Sequence, residues 1–220
     1  SALGKKAAAA FNKHYDVTPI GNFEGRNILH VVDVPGDCDK ESEDRLREAR
    51  VKLLAIRQNR VAPGRDEKIL TAWNGLMLRS FAEAGSTLHR LDYLDAAVKN
   101  ASFLLEKLRT PVGRVLRSYK DGDTRLKGYL EDYASLVDGL VALHEATLDL
   151  RWLGEARSLA DAMIDLFWDE AEAGFYDTGR DHETLIIRPR DVFDNAVPSG
   201  GSVAADVLLR LGILTGNIDY

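Results

Sequence analysis

LEDYASLVDGLVALHEATLDLRWL, residues 130–153, decides the fold. A stripe runs through Leu130, Tyr133, Val137, Leu140, His144 and Thr147 at spacings of three and four, which sets one helix face against a core. After a short turn a second stripe takes Trp152, Ala156, Leu159, Met163 and Phe167. The same design stands upstream. One stripe uses Leu70, Trp73, Met77, Phe81, Ala84 and Leu88, and its partner uses Leu94, Val98, Ala101, Leu105 and Leu108. Glu83-Ala84 ahead of Tyr93-Leu94 matches Glu145-Ala146 ahead of Trp152-Leu153. Each helical pair then runs into a glycine-led segment, Gly113 with Val115-Leu116 and Gly174 with Phe175-Tyr176. Short β-like stretches are predicted at 114–119, turned by Asp121-Gly122, and at 185–188. The unit recurs after about sixty residues, the signature of stacked supersecondary repeats.

Two further helices complete the set. One runs through Leu46, Ala49, Leu53 and Ile56, and a last one through Val203, Val207, Leu211 and Leu214. Tyr220 stands where Tyr93 and Trp152 open the partner helix, so the third unit is expected to continue in a longer protein. Residues 11–30 are expected as loop, and 31–45, with Pro35-Gly36-Asp37 and mixed charge, as an exposed connection.

Composition excludes several classes. Hydrophobic residues are 45% and charged residues 29% of the 220, so a folded core is affordable. A net charge of −6 argues against a nucleic-acid partner, because phosphate binding needs a basic field. The cluster Arg57, Arg60 and Arg65 is explained as well by a solvated helix end as by an anion site. Cys38 alone makes neither an internal disulfide nor a zinc site, and no metal or cofactor is expected. With no run of about eighteen apolar residues and no signal-peptide core, no membrane partner is expected and a cytoplasmic location is the default.

The helices that open each unit are alternate members of the series, so they share a ring and a direction. Each is entered by an acidic loop carrying Asp66, Asp132 or Asp194, which are 66 and 62 residues apart. In a closed ring such positions converge on one rim, where neighbouring carboxylates push one another's pKa apart and divide acid and base roles. These three are the catalytic candidates. Glu67, Lys68, Trp73, Asn74, Glu131, Tyr133, Arg190 and Ser199 are the substrate-binding candidates, since aromatic faces beside carboxylates suit a sugar ring. The plain alternative for each acid is a helix cap. Trp73 and Tyr133 also fit the core stripe, Ser199 fits a cap for the last helix, and Arg188 and Arg190 fit pairing with Asp191 and Asp194. His144 suits a buried, hydrogen-bonded role, and His89 and His182 sit in turns. Ser199 lies outside a Gly-x-Ser-x-Gly elbow.

Four motifs carry a family resemblance: Arg65-Asp66-Glu67-Lys68-Ile69-Leu70-Thr71-x-Trp73-Asn74-Gly75-Leu76-Met77; Tyr129-Leu130-Glu131-Asp132-Tyr133-Ala134; Asp194-x-Ala196-x-Pro198-Ser199-Gly200-x-Ser202-Val203-Ala204; and Gly21-Asn22-Phe23-Glu24-Gly25-x-Asn27-Ile28-Leu29-His30. Together they resemble the thioredoxin-domain-containing YyaL-type/spermatogenesis-associated protein 20 family. The resemblance implies a mainly α fold, a fragment of an (α/α)6 toroid (six-hairpin, glycosidase-like, related to N-acylglucosamine 2-epimerases) with short β-hairpins in its loops. It implies that 1–220 is a partial toroid whose intact protein carries a thioredoxin-like domain absent here. Glu67 stands where the family usually has Asp, and Gly201 where it usually has Asn. The epimerase relatives use histidines, and none lies in the three rim loops, which favours a carboxylate mechanism. The expected function is therefore a sugar hydrolase or isomerase using rim carboxylates on a carbohydrate ligand. The alternative is a non-catalytic helical platform that binds a protein partner beside the thioredoxin-like domain. A prenyl-type cyclase is disfavoured by the lack of a DxDD motif.

Overall fold

A computed structural model describes residues 2–31, 40–218 and 220, so Cys38 and the Pro35-Gly36-Asp37 turn lie outside the described residues. The chain divides into two compact units, 1–65 and 66–220.

The first unit pairs α1 (Lys5–His14) with α2 (Lys40–Gln58) over Phe11, Leu46 and Ala49, with Leu3, Tyr15 and Leu53 packed against them. The sequence reading did not include α1. Its only buried side chain is Phe11, so it writes no stripe, and the helix propensity of its lysines and alanines carries it. Likewise the mixed charge at 40–45 is the first turns of α2, where Arg45 pairs with Glu41 four residues away. Residues 16–28 are loop as expected. Asn22 pins it, donating to the carbonyls of Asp16 (2.8 Å) and Ile28 (2.9 Å) and accepting from Ile28 N (2.8 Å).

Among its described residues the second unit has five helices. Of these, α3 (Thr71–Thr87), α5 (Leu130–Thr147) and α7 (Gly200–Thr215) form an inner layer, while α4 (Leu91–Lys107) packs on α3 and α6 (Leu150–Phe167) packs on α5. The inner three run in the same direction: successive contacts advance from Ala72 with Asp132 to Arg79 with Asp138, and from Gly200 with Glu131 to Arg210 with Glu145. Every residue from 132 to 143 is buried, so α5 is the pillar of the unit, enclosed by α3, α6 and α7. By contrast α6 buries a single stripe, Trp152, Ala156, Leu159, Ala160, Met163 and Phe167.

Small residues set the α3–α5 crossing. A Cβ on Gly75 would lie 2.5 Å from the carbonyl carbon of Ser135, and one on Gly139 would lie 2.8 Å from Gly75 O. Buried Asp138 ties the layer together, accepting from Arg79 (2.9 Å) and from Arg210, which also holds Glu145 at 2.9 Å.

The strands lie in the loops. β1 (Ile69–Leu70), β2 (Leu116–Lys120) and β3 (Asp123–Lys127) form an antiparallel sheet in that order, with the hairpin turned at Asp121-Gly122, both at positive φ. β4 (Trp168–Asp169) pairs with β5 (Gly174–Phe175). The stretch 185–188 is not a strand: it finds no pairing partner among the described residues, Ile186 and Ile187 face solvent, and Arg188 turns onto the Tyr176 ring at 4.0 Å.

Candidate functional site

Where the inner helices begin, their first turns need acceptors for unpaired N–H groups. Asp132, third residue of α5, supplies two at once. Its carboxylate accepts from Tyr129 N (2.9 Å), the cap of its own helix, and from Ala72 N (3.0 Å) at the start of α3. Arg117 of β2 approaches the same carboxylate at 3.3 Å and holds Glu131 at 2.7 Å, while its guanidinium lies over the Tyr129 ring at 4.8 Å. Asp132 is fully buried, and burial pushes its carboxyl up to about 6 against the pull of those donors.

Over this ion pair opens a cavity of about 490 Å³, within the usual range for small-molecule sites. Arg117, Tyr129 and Glu131 line one side, Asp177 and Thr178 another, and Asp191, Asn195 and Ser199 the approach to α7. Asp177 accepts from Asp191 N at 2.9 Å. Burial raises its carboxyl above the ordinary value, and the negative charges of Asp191 and Glu131 add to the rise.

Arg117 and Asp177 are sixty residues apart and occupy equivalent places in the repeat. The residue before each closes onto the end of its outer helix, Leu116 N on Leu108 O at 2.8 Å and Tyr176 N on Phe167 O at 3.0 Å. Repeat-equivalent residues thus do meet at one opening, but as a cation on β2 and a carboxylate just beyond β5, in the segments that follow the outer helices. The glycine-led segments named in the sequence carry both, and extending that alignment by one residue would have reached them.

The acids singled out from spacing occupy inequivalent positions. Asp132 is inside its helix, whereas Asp66 precedes Thr71 by five residues and Asp194 precedes Gly200 by six. Exposed Asp66 is paired with Lys68 at 3.0 Å, and hydrogen bonding to Lys68 holds its carboxyl below the ordinary value. Asp194 accepts Ser199 N at 2.9 Å, just ahead of α7. Glu67 is exposed, and Lys68 borders a separate hollow on the β2–β3 hairpin with Lys120 and Arg125.

Of the binding candidates, Glu131 and Ser199 line the cavity, and Ser199 also caps α7, accepting from Ser202 N at 3.1 Å. Trp73 stands at the start of α3, 64% exposed, outside the cavity wall. Asn74 donates to Leu70 O at 2.9 Å. Tyr133 is wholly buried, its hydroxyl taken by Val115 N and Arg114, each at 3.0 Å. Arg190 pairs with Asp169 rather than with Asp191 or Asp194 and lies over Tyr176, because β4 and β5 bring both within reach. His144 is held by Asp149 O at 3.0 Å, and His182 stacks on Tyr129 outside the cavity wall.

Same-direction inner helices α3, α5 and α7, the first two backed by the outer helices α4 and α6, define the class: this is an arc of the (α/α)6-toroid fold. A cellobiose 2-epimerase from Spirochaeta thermophila shares the fold with a TM-score of 0.53 at 22% identity, over 66% of this chain and 39% of that one. A sugar epimerase from a ruminal bacterium shares it at 0.51 and 14%, over 84% and 50%. No protein-family model matches. Human spermatogenesis-associated protein 20 is 33% identical over 235 aligned positions, which cover 94% of this chain and 30% of the human protein. Over that stretch the chain is a homologue of spermatogenesis-associated protein 20, and it spans about 30% of the length of that curated relative. Among the described residues no helix is long and apolar enough to cross a membrane.

Proposed function

We propose that the cavity at the head of α5 and α7 is a sugar-transforming cleft that works by carboxylate acid–base chemistry, with glycoside hydrolysis as the reaction. Asp177 is the proton donor to the departing oxygen, because its raised pKa keeps a proton available nearer neutrality. Glu131, fixed by Arg117 at 2.7 Å, is the carboxylate that activates water or attacks the sugar. Asp132 acts through Arg117 and the helix starts, so it is a positioning residue. Tyr129 and Asn195 supply an aromatic face and an amide to a ring that is apolar on its C–H face and polar at its edge.

One observation carries the reading. A carboxylate with raised pKa and an Arg-held carboxylate border the same cavity, at the end of a fold shared with sugar epimerases. Incubation with β- and α-linked disaccharides, followed by NMR of the anomeric protons, tests it. New reducing-end signals are expected, lost by a factor of about 10² or more in Asp177→Asn. Turnover unchanged in both Asp177→Asn and Glu131→Gln would remove the assignment.

A further inference from the structure

The cavity's charge balance says which sugars it takes, on the reading that it is a sugar site. Four charged side chains line it: Arg117, Glu131, Asp177 and Asp191. The one cation is already answered twice, by Glu131 at 2.7 Å and by Asp132 at 3.3 Å. Asp177 and Asp191 have no cation within ion-pair distance among the described residues; Asp177 accepts the Asp191 N–H, and Asp191 accepts Phe193 N at 3.2 Å. Nor do the helix starts leave positive charge over. Asp132 takes Tyr129 N and Ala72 N, and Asp194 and Ser199 serve the first turn of α7. The cavity therefore holds an excess of negative charge, and an anionic sugar would enter against it.

A second feature points to a ligand independently of charge. Thr178 lines the same cavity at 7% exposure, and its hydroxyl finds no hydrogen-bond partner among the described residues. A buried hydroxyl left unpaired costs free energy that a ligand oxygen would recover. Among the described residues no three His, Cys, Asp or Glu side chains gather as a metal-holding group, so the donor set suits an organic cation better than a metal ion.

We infer that the cavity takes a sugar bearing a free ammonium group, with the Asp191 carboxylate set against the ammonium and Thr178 hydrogen-bonded to a ring hydroxyl. The contact is a charge-assisted hydrogen bond in a half-enclosed site, which a neutral hydroxyl in the same place cannot match.

Calorimetric titration with a β-1,4-linked glucosamine disaccharide and with cellobiose tests this, since the pair differ only in ammonium against hydroxyl on each ring. Below neutral pH the amino disaccharide is expected to bind about tenfold tighter, with the margin shrinking in high salt. Asp191→Asn keeps the backbone N–H on Asp177 and an oxygen for Phe193 N, so cellobiose affinity is expected to hold while the amino-sugar margin disappears. Equal affinities in the unsubstituted chain, or a margin that survives Asp191→Asn, would overturn the inference and leave the sugar cleft standing. Binding of neither disaccharide would overturn both.

Discussion

Asp132 concentrates the physics of this site into one side chain. Its carboxyl stands at about 6 in the folded chain against 3.8 for the free side chain, so the folded state holds the proton more tightly than the unfolded state. The sign follows from linkage. Compared with the non-titrating Asp132→Asn variant, the unsubstituted chain is at its relative best below 3.8. It loses ground as pH rises through the interval to about 6, and is level above it. The drop is roughly 3 kcal/mol, from about 1.4 kcal/mol per pKa unit, and urea unfolding of both chains across that interval measures it. Asp132→Ala acts differently. It strands the N–H groups of Ala72 and Tyr129, and a loss of about 1–3 kcal/mol is expected at any pH in the same assay. The acid at the start of this helix was legible in the sequence, and so was its capping role. Its burial was not, because burial depends on β2 bringing Arg117 across from fifteen residues away. Asp177 was missed for the complementary reason: it lies just beyond a two-residue strand and on no helical stripe.

At the scale of elements, the inner layer is held by close backbone approach. Gly75→Ala would drive a methyl into the Ser135 backbone at 2.5 Å, where neither helix can yield without repacking the other. A loss of about 1–3 kcal/mol in unfolding free energy is expected. Gly154, exposed on α6 with nothing within 4 Å of an added Cβ, gives the opposite sign: Gly154→Ala is expected to gain about 0.5–1 kcal/mol by helix propensity. Thermal melts of the two variants separate the cases. The six striped helices and the Asp121-Gly122 hairpin could be read because periodicity and turn chemistry are local. The stretch 185–188 misled because Leu185, Ile186 and Ile187 have strand propensity, while no strand lies beside them to pair with; a sheet is made by its neighbours. The enclosed helix α5 showed only its stripe in the sequence, although Ala134, Ser135, Gly139 and Ala142 are buried as well. Small residues disappear from a stripe count, yet Ser135 and Gly139 are what lets α3 close on it.

For the whole molecule, the repeat that reveals the hairpins also dictates that equivalent positions gather at one end. That geometric expectation was sound in form. The positions to which it applies are Arg117 and Asp177, fixed by the ends of the outer helices, while Asp66 and Asp194 sit in entry loops of unequal length before α3 and α7. Loop length is what the sixty-residue period does not control, so acids matched by spacing need not match in space. The exposed Trp73 and Met77 of α3, and Leu209 and Ile213 of α7, lie on the two flanking helices of the inner layer, where a seam rather than a central pillar is expected to carry apolar side chains. The central claim is that the head of α5 and α7 forms a sugar cleft. Its most direct measurement is a ¹H–¹⁵N NMR titration of the chain with a disaccharide. The account predicts saturable shifts at Arg117, Glu131, Asp177, Thr178 and Asn195. Saturable shifts confined to α4 and α6, with those five residues unmoved, would contradict it.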